Sequence, residues 1–178
     1  MEKVSKDSTN SINDFSFNEY GGLTDCSFHL EIPIRLKDSL NFLDATLNIE
    51  IVLEKSKHPK SKLFALSFGT NTFDLKEQGE TELSFESQMI FLQRLLPKNI
   101  RIHTCLFCAY SNYWVGGSNS FGTLICYKDI KDKILTVKGK SEYIDAAEGK
   151  GESTQETFLC SEFMEIGEDQ WQYKDTIW

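Results

Sequence analysis

Alternating apolar and polar residues in the first third of the chain predict two long β-strands. Residues 27–35 carry apolar side chains at every second position, which is the period of a strand with one buried face. Residues 43–53 repeat this pattern more clearly than any other segment. Pro33 has no backbone N–H to donate to a neighbouring strand, so we expect the first strand to lie at a sheet edge.

Shorter apolar runs between turn residues predict further strands. We expect them at residues 63–68, 73–75, 81–85, 121–127, 134–138 and 155–163. One segment differs, because its apolar residues recur at helical spacing up to Leu96. Either Ser84 or Ser87 is expected to cap this helix, and Pro97 to end it. The pattern therefore predicts a mainly β fold with a minor α+β character, namely an antiparallel β-sandwich or open barrel with one short amphipathic helix.

The composition fits one folded domain. The chain has 178 residues, of which 40% are hydrophobic and 12% aromatic, enough to bury a core. Residues 1–14 are polar and are interpreted as a mobile amino-terminal tail, and residues 15–178 as a single β-rich domain. No apolar run is long enough for a membrane span or a secretory signal, so we expect a cytoplasmic protein with reduced or metal-bound cysteines.

Negative charge is concentrated near the carboxyl terminus. The net charge is −8, and residues 140–178 hold ten acidic and three basic residues, which accounts for −7 of it. Nucleic-acid binding needs a basic surface and is not expected. The charge suits a basic protein partner, and the alternative is an acidic face that only keeps the protein in solution.

Four cysteines form the main candidate for a binding site. Cys105 and Cys108 stand in a Cys-x-x-Cys arrangement, and Cys126 and Cys160 follow on predicted strands. Four thiolates around one ion are typical of structural zinc. Against this, Leu-Phe between the first two cysteines suits a straight strand, where residues three apart point to opposite faces, and Ala109 stands where a zinc turn favours glycine. Metal ligands, core thiols and a redox pair therefore remain open as alternatives.

No catalytic motif is present in the sequence. A thioredoxin-like reading of Cys-x-x-Cys would need a helix after the motif, and none is predicted. The glycine-rich residues 116–122 lack the lysine of a phosphate-binding loop. Histidines are few and show no spacing typical of a catalytic site. We therefore assign no catalytic residues, and enzymatic activity has no support in the pattern.

The segment after the cysteine pair is rich in aromatic residues. Tyr110, Tyr113 and Trp114 precede a glycine-rich stretch, and such residues on loops often anchor a protein partner. We interpret the three as candidate partner-binding residues. The alternative is that they cover one end of the hydrophobic core.

A resemblance supports treating the cysteines as one set. The block Cys-Leu-Phe-Cys-Ala-Tyr-Ser-Asn-Tyr, with Phe-Gly-Thr-Leu-Ile-Cys and Glu-Thr-Phe-Leu-Cys later, resembles an uncharacterised bacterial family of small proteins. In that family a Tyr-Ser-Asp-Tyr-type loop follows Cys-x-x-Cys, and here Asn112 replaces the aspartate. The resemblance covers roughly residues 100–165. It implies no activity, but it implies that the four cysteines act together.

These observations predict a non-enzymatic cytoplasmic binding protein of bacterial type, with an optional structural zinc on Cys105, Cys108, Cys126 and Cys160 and no other cofactor. Its acidic composition suits neutralisation of a basic partner, as immunity proteins of toxin systems do. One competing hypothesis is a metal-dependent hydrolase, which would need an open metal position and a general base. Another is a subunit of a larger protein assembly that uses the Trp114 loop as its contact.

Overall fold

The computed structural model describes residues 15–53, 60–74, 84–117, 121–167 and 169–174. The predicted tail at residues 1–14, and most of the predicted strand at 81–85, lie outside these residues. The amino-terminal elements are β1 (Ser16–Phe17), β2 (Leu23–Thr24), β3 (Cys26–Lys37), β4 (Phe42–Leu53), β5 (Lys60–Phe68), β6 (Asn71–Asp74), α1 (Phe85–Leu95) and β7 (Arg101–Ile102). The carboxyl-terminal elements are β8 (Ser111–Asn112), β9 (Leu124–Cys126), α2 (Lys131–Ile134), α3 (Lys140–Ala147) and β10 (Glu152–Thr154).

A curled five-stranded antiparallel sheet dominates the first half of the chain. Its strand order is β6-β5-β4-β3-β7, and β1 and β2 form a separate small hairpin. Both strands that the alternating pattern predicted are present as β3 and β4, and they pair along their whole length. The turn between them is held by Asp38, whose Oδ1 accepts the backbone N–H groups of Leu40 and Asn41, each at 2.9 Å.

Strand β3 has an open edge at Pro33. Strand β7 pairs only with Leu36 and Lys37, so among the described residues no strand covers β3 on that side at Pro33. The prediction of an edge strand is confirmed for this part of β3. Pro33 fits there because it has no backbone N–H, and no neighbouring described strand needs that donor at this position.

Helix α1 covers one face of this sheet. Ser84 caps it, since the Ser84 side chain accepts the N–H of Ser87 at 3.1 Å, and the helix ends before Pro97. Met89 and Leu92 are fully buried against inward-facing sheet residues such as Leu47. The predicted helix is confirmed, and the mainly β fold class with it, although the described residues form three short α-helices rather than one.

The second half of the chain is less regular than the sequence predicted. Residues 134–138 do not form a strand, because Ile134 ends α2 and Val137 follows in a turn, with both side chains buried. Their separation by three positions matches a helical turn rather than a strand. Only β9 forms within the predicted strand 121–127. Residues 155–163 are irregular, and the reason lies in the cysteine region described below.

A second, smaller hydrophobic cluster forms around α3. Tyr127, Tyr143 and Trp171 pack there, and the Tyr143 hydroxyl donates to the Tyr127 hydroxyl at 2.8 Å. Burial raises the pKa of both tyrosines, so both are neutral phenols. Among the described residues no helix combines the length and the apolar character that crossing a membrane requires.

Candidate metal centre

The Cys-x-x-Cys segment forms a tight turn. Residues Cys105–Phe107 make one turn of 3-10 helix, and the N–H of Cys108 donates to the carbonyl of Cys105 at 3.1 Å. The interpretation of this spacer as a straight strand is wrong. A turn can direct the two thiols to the same side, so the geometric objection to a shared metal is removed.

The irregular segment 155–163 lies against this turn. The N–H of Cys105 donates to the carbonyl of Phe158, and the N–H of Leu106 to the carbonyl of Glu156, both at 3.0 Å. These bonds use the backbone groups that a sheet ladder would have taken. The segment therefore does not form the predicted strand, and its course brings Cys160 towards Cys105.

Strand β9 delivers the third cysteine. Cys126 lies opposite Ser111 on β8 and opposite Glu152 on β10, in the middle of a three-stranded sheet of order β10-β9-β8. Because β8 begins three residues after Cys108, this pairing holds Cys126 beside the turn. Residues from three separate segments thus meet at one place.

Two of the sulfur atoms accept a backbone N–H from the residue two positions later. The N–H of Glu162 donates to Cys160 Sγ at 3.3 Å, and the N–H of Lys128 donates to Cys126. At Cys126 this hydrogen bond lowers the pKa, because a hydrogen bond to a group stabilises its charged form, but burial raises the same pKa by more. Thiolates, not thiols, are the metal ligands.

The thiols are close enough to influence one another electrostatically. Burial raises the pKa of Cys105 to about 12, while a hydrogen bond with the Thr154 side chain lowers it. The charges of Cys108, Cys160 and Cys126 raise the same pKa further. Burial also raises the pKa of Cys126, which responds to Cys108 and Cys160 as well. As free thiols, Cys105 and Cys126 are therefore protonated near neutral pH.

Three of the four thiols open onto one cleft. Cys105, Cys126 and Cys160 line a cavity of about 550 Å³ together with Lys128 and Glu152. Cys108 is buried and does not line it. Among the described residues, no group of three or more His, Cys, Asp or Glu side chains is placed so that it could hold a metal ion without rearrangement. Zinc binding by the four cysteines therefore stays a prediction.

A buried lysine braces the turn from the carboxyl-terminal end of the chain. Lys174 Nζ donates to the carbonyls of Leu106 and Cys108, each at 2.8 Å, and to Ser111 Oγ at 3.0 Å. Ser111 Oγ in turn donates to the carbonyls of Cys105 and Cys108. Burial lowers the pKa of Lys174 to about 7, and the charges of Cys108 and Glu86 oppose this shift.

A buried glutamate lies next to the site. Glu156 is fully buried, and its carboxylate accepts the Tyr113 hydroxyl at 3.2 Å and the N–H of Gly122 at 2.8 Å. Burial raises the pKa of Glu156, and these hydrogen bonds lower it in part. Neither Glu156 nor Lys174 has a sequence signal, because both act through contacts with residues more than 30 positions away.

The three predicted partner-binding residues differ in exposure. Tyr113 is fully buried in the main core, which is the covering role that the sequence left as the alternative. Trp114 is half-buried and packs near Tyr143, with ring centroids 6.4 Å apart. Tyr110 is half-buried and its hydroxyl donates to Met164 Sδ at 3.1 Å. Partner binding at Tyr110 and Trp114 stays a prediction.

Comparison with known proteins places the chain in a family. The model described as Family of unknown function (DUF6304) matches residues 1–111. The chain belongs to this family. The prediction of a family without an assigned activity is therefore confirmed, whereas its bacterial origin and cysteine motif stay predictions.

The DUF6304 match covers only part of the candidate site. It spans the five-stranded sheet, α1 and the turn that carries Cys105 and Cys108, and it ends before Cys126 and Cys160. No curated protein and no solved structure matches the chain.

Proposed function

We propose that this DUF6304 chain is a non-enzymatic cytoplasmic binding protein whose second half is held together by one zinc ion on Cys105, Cys108, Cys126 and Cys160. The observation that supports the zinc is that Cys105, Cys126 and Cys160, from three segments, line one cleft, with Cys108 at the end of the turn that begins at Cys105. Hydrogen-bond donors are also directed at three of the sulfur atoms. In this role zinc joins the cysteine turn, β9 and residues 155–163, which otherwise share few regular backbone contacts.

Zinc is the metal that best fits the donor set. Four soft thiolates select zinc or iron–sulfur chemistry rather than magnesium or calcium. Bound zinc requires deprotonated cysteines and supplies the positive charge that removes the penalty for burying them. Zinc with four thiolates carries a net charge of −2, and the Lys174 ammonium behind the turn offsets part of it.

The metal-dependent hydrolase remains a second candidate for one specific reason. Cys108 does not line the cleft, whereas Glu152 does. If only Cys105, Cys126 and Cys160 bound zinc, a fourth position would face the cleft and Glu152 would be the nearby general base. Binding by all four cysteines closes the coordination shell and leaves no position for a substrate. The number of sulfur ligands therefore separates the two functions.

Metal content of the purified protein tests the zinc. We expect one zinc per chain after purification without added chelator, and loss of that zinc in Cys160→Ser. Cys26→Ser is the matched control, because Cys26 begins β3 and is outside the proposed ligand set. Less than about 0.2 zinc per wild-type chain, or equal zinc in wild type and Cys160→Ser, would contradict the proposal.

The binding role rests on charge and on the half-buried aromatic side chains of Tyr110 and Trp114. The protein is strongly acidic, and a basic protein partner is the class that its charge favours. Neutralisation of such a partner, as immunity proteins do, is the form of this role that we propose. The alternative to this immunity-like role is that the protein is a subunit of a larger assembly and contacts it through the Trp114 loop. In that case Trp114→Ala would abolish recovery of the other subunits in a pull-down.

A further inference from the structure

The amino-terminal hairpin displays apolar side chains to solvent. Of the large apolar residues in residues 15–24, four are exposed: Phe15 at 42%, Phe17 at 42%, Tyr20 at 87% and Leu23 at 36%. Phe17 and Leu23 lie directly opposite each other in the register of β1 and β2, so their side chains are on one face. We call these four residues the aromatic hairpin face.

Local hydrogen bonds hold this face in a fixed shape. Asn18 Oδ1 accepts the N–H of Tyr20 at 3.0 Å and the N–H of Gly22 at 2.8 Å. Gly21 adopts a φ of 78°, which favours glycine, and Thr24 anchors the hairpin with a buried side chain. Aromatic groups that are ordered before binding lose little conformational entropy when a partner docks.

The described sequence that carries the aromatic hairpin face is acidic. Residues 15–34 contain three acidic residues, Glu19, Asp25 and Glu31, and neither lysine nor arginine. Lipid vesicles of negative charge and nucleic acids would be repelled by such a surface. A second copy of the same face would bring like charges together. The acidic residues instead favour a cationic protein segment. The Lys or Arg side chains of such a segment can also stack on the exposed aromatic rings.

We propose that the aromatic hairpin face docks a Lys- and Arg-rich segment of another protein. The acidic residues of this region attract the segment, and Phe17 and Tyr20 hold its side-chain cations against their rings. This proposal rests on the binding role proposed above and names its surface. It does not depend on the zinc, because none of the four cysteines of the proposed site belongs to the hairpin.

Selection from a random peptide library against the whole chain tests the docking surface. We expect the recovered peptides to be enriched in Lys and Arg relative to the starting library. A synthetic peptide of the recovered consensus should bind the double variant Phe17→Ser, Tyr20→Ser at least tenfold more weakly than it binds wild type. Leu40→Ser is the matched control, since Leu40 is 90% exposed in the β3–β4 turn, outside the hairpin, and should leave affinity unchanged.

A charge variant tests whether acidic residues attract the basic segment. Glu19→Lys, within the hairpin, should also weaken binding, and the loss should shrink in high salt because screening weakens the wild-type attraction. Recovered peptides without Lys and Arg enrichment would overturn the proposal, as would equal affinity for wild type and the hairpin double variant. Hairpin-dependent flotation with phosphatidylserine vesicles, or hairpin-dependent dimers in sedimentation, would replace it with a membrane or self-association surface.

The zinc site and the docking surface can each be disproved without affecting the other. Zinc content and circular dichroism of the hairpin variants should equal those of wild type, which shows that the fold is intact. A protein that binds zinc but selects no basic peptides retains the metal centre and loses the docking surface. A protein without zinc that selects hairpin-dependent basic peptides gives the opposite result.

Discussion

Lys174 is the residue whose environment is most unusual. A buried ammonium is rare unless it is paired, and this one has three oxygen acceptors and a cluster of thiols nearby. Its hydrogen bonds connect the end of the described chain to the turn that carries Cys105 and Cys108. It therefore stabilises the turn of the proposed metal centre through these hydrogen bonds.

Replacement of Lys174 should lower stability substantially. In Lys174→Met the carbonyls of Leu106 and Cys108 lose a buried donor, so we expect the free energy of unfolding to fall by about 2 to 4 kcal/mol. Urea denaturation followed by circular dichroism measures this. Lys150→Met is the control, because Lys150 is exposed and should change stability by less than about 0.5 kcal/mol. Equal stability of wild type and Lys174→Met would show that Lys174 does not brace the turn.

Glu156 should leave a signature in the pH dependence of stability. Its folded pKa is raised above the ordinary value of 4.5, so between that value and the raised one the folded state holds more protons than the unfolded state. The contribution of this group is therefore fully present below about pH 4.5 and is lost as pH rises through the folded pKa. Glu156→Gln keeps an acceptor for Gly122 and should remove this part of the pH dependence.

The measurement for Glu156 is the free energy of unfolding at a series of pH values for both proteins. We expect the difference, wild type minus Glu156→Gln, to decrease as pH rises above 4.5. A difference that does not change with pH would mean that Glu156 ionises in the folded protein as it does in the unfolded chain.

At the scale of elements, β10 approaches β9 closely because Gly151 has no side chain. A Cβ at Gly151 would lie 2.6 Å from Ile125 Cγ2 and 2.7 Å from Tyr127 Cε1. Strand β9 carries Cys126, and β10 carries Thr154, which hydrogen-bonds with Cys105. The glycine thus sets the spacing of two strands that shape the cleft.

A pair of glycine substitutions separates this close contact from backbone strain. Gly149 and Gly151 both have positive φ, at 66° and 93°, but a Cβ at Gly149 meets nothing within 4 Å. Gly149→Ala should cost about 1 kcal/mol through its backbone conformation alone. Gly151→Ala should cost about 3 kcal/mol, because Ile125 and Tyr127 must also move. Thermal unfolding of both variants checks this, and equal losses would show that the contact is relieved without cost.

The regular elements could be predicted wherever one face of an element is buried. Strands β3 and β4 show alternation because one side faces the core along both strands, and α1 shows helical spacing because it covers the sheet. Prediction failed at residues 155–163, where the backbone bonds to the cysteine turn rather than to a strand. That partner lies about 50 residues away, and no local pattern of apolar residues encodes it.

The candidate site could be predicted in part. The four cysteines are visible in the sequence, and the structure places three of them, Cys105, Cys126 and Cys160, around one cleft. Leu106 and Phe107 suggested a strand because they are apolar, whereas they are buried inside a tight turn. The contributions of Lys174 and Thr154 depend on long-range folding, so neither residue could be selected from spacing.

For the whole molecule, the structure suggests two differently stabilised halves. The five-stranded sheet and α1 share a large apolar core and have regular backbone pairing. The second half adds residues such as Leu106, Tyr113 and Leu124 to that core, but otherwise has a small aromatic cluster, short strands and long irregular segments. Small or loop-rich units of this kind are often stabilised by a metal ion. The proposed zinc would join three segments at the place where regular pairing is least extensive.

Zinc-edge X-ray absorption of the purified protein tests this central claim most directly, because it counts the ligand atoms around the metal. We expect four sulfur ligands at zinc–sulfur distances of about 2.3 Å, from Cys105, Cys108, Cys126 and Cys160. Three sulfur atoms with one oxygen or nitrogen ligand would contradict the closed structural site and favour the hydrolase. Protein that contains no zinc would contradict the metal centre altogether.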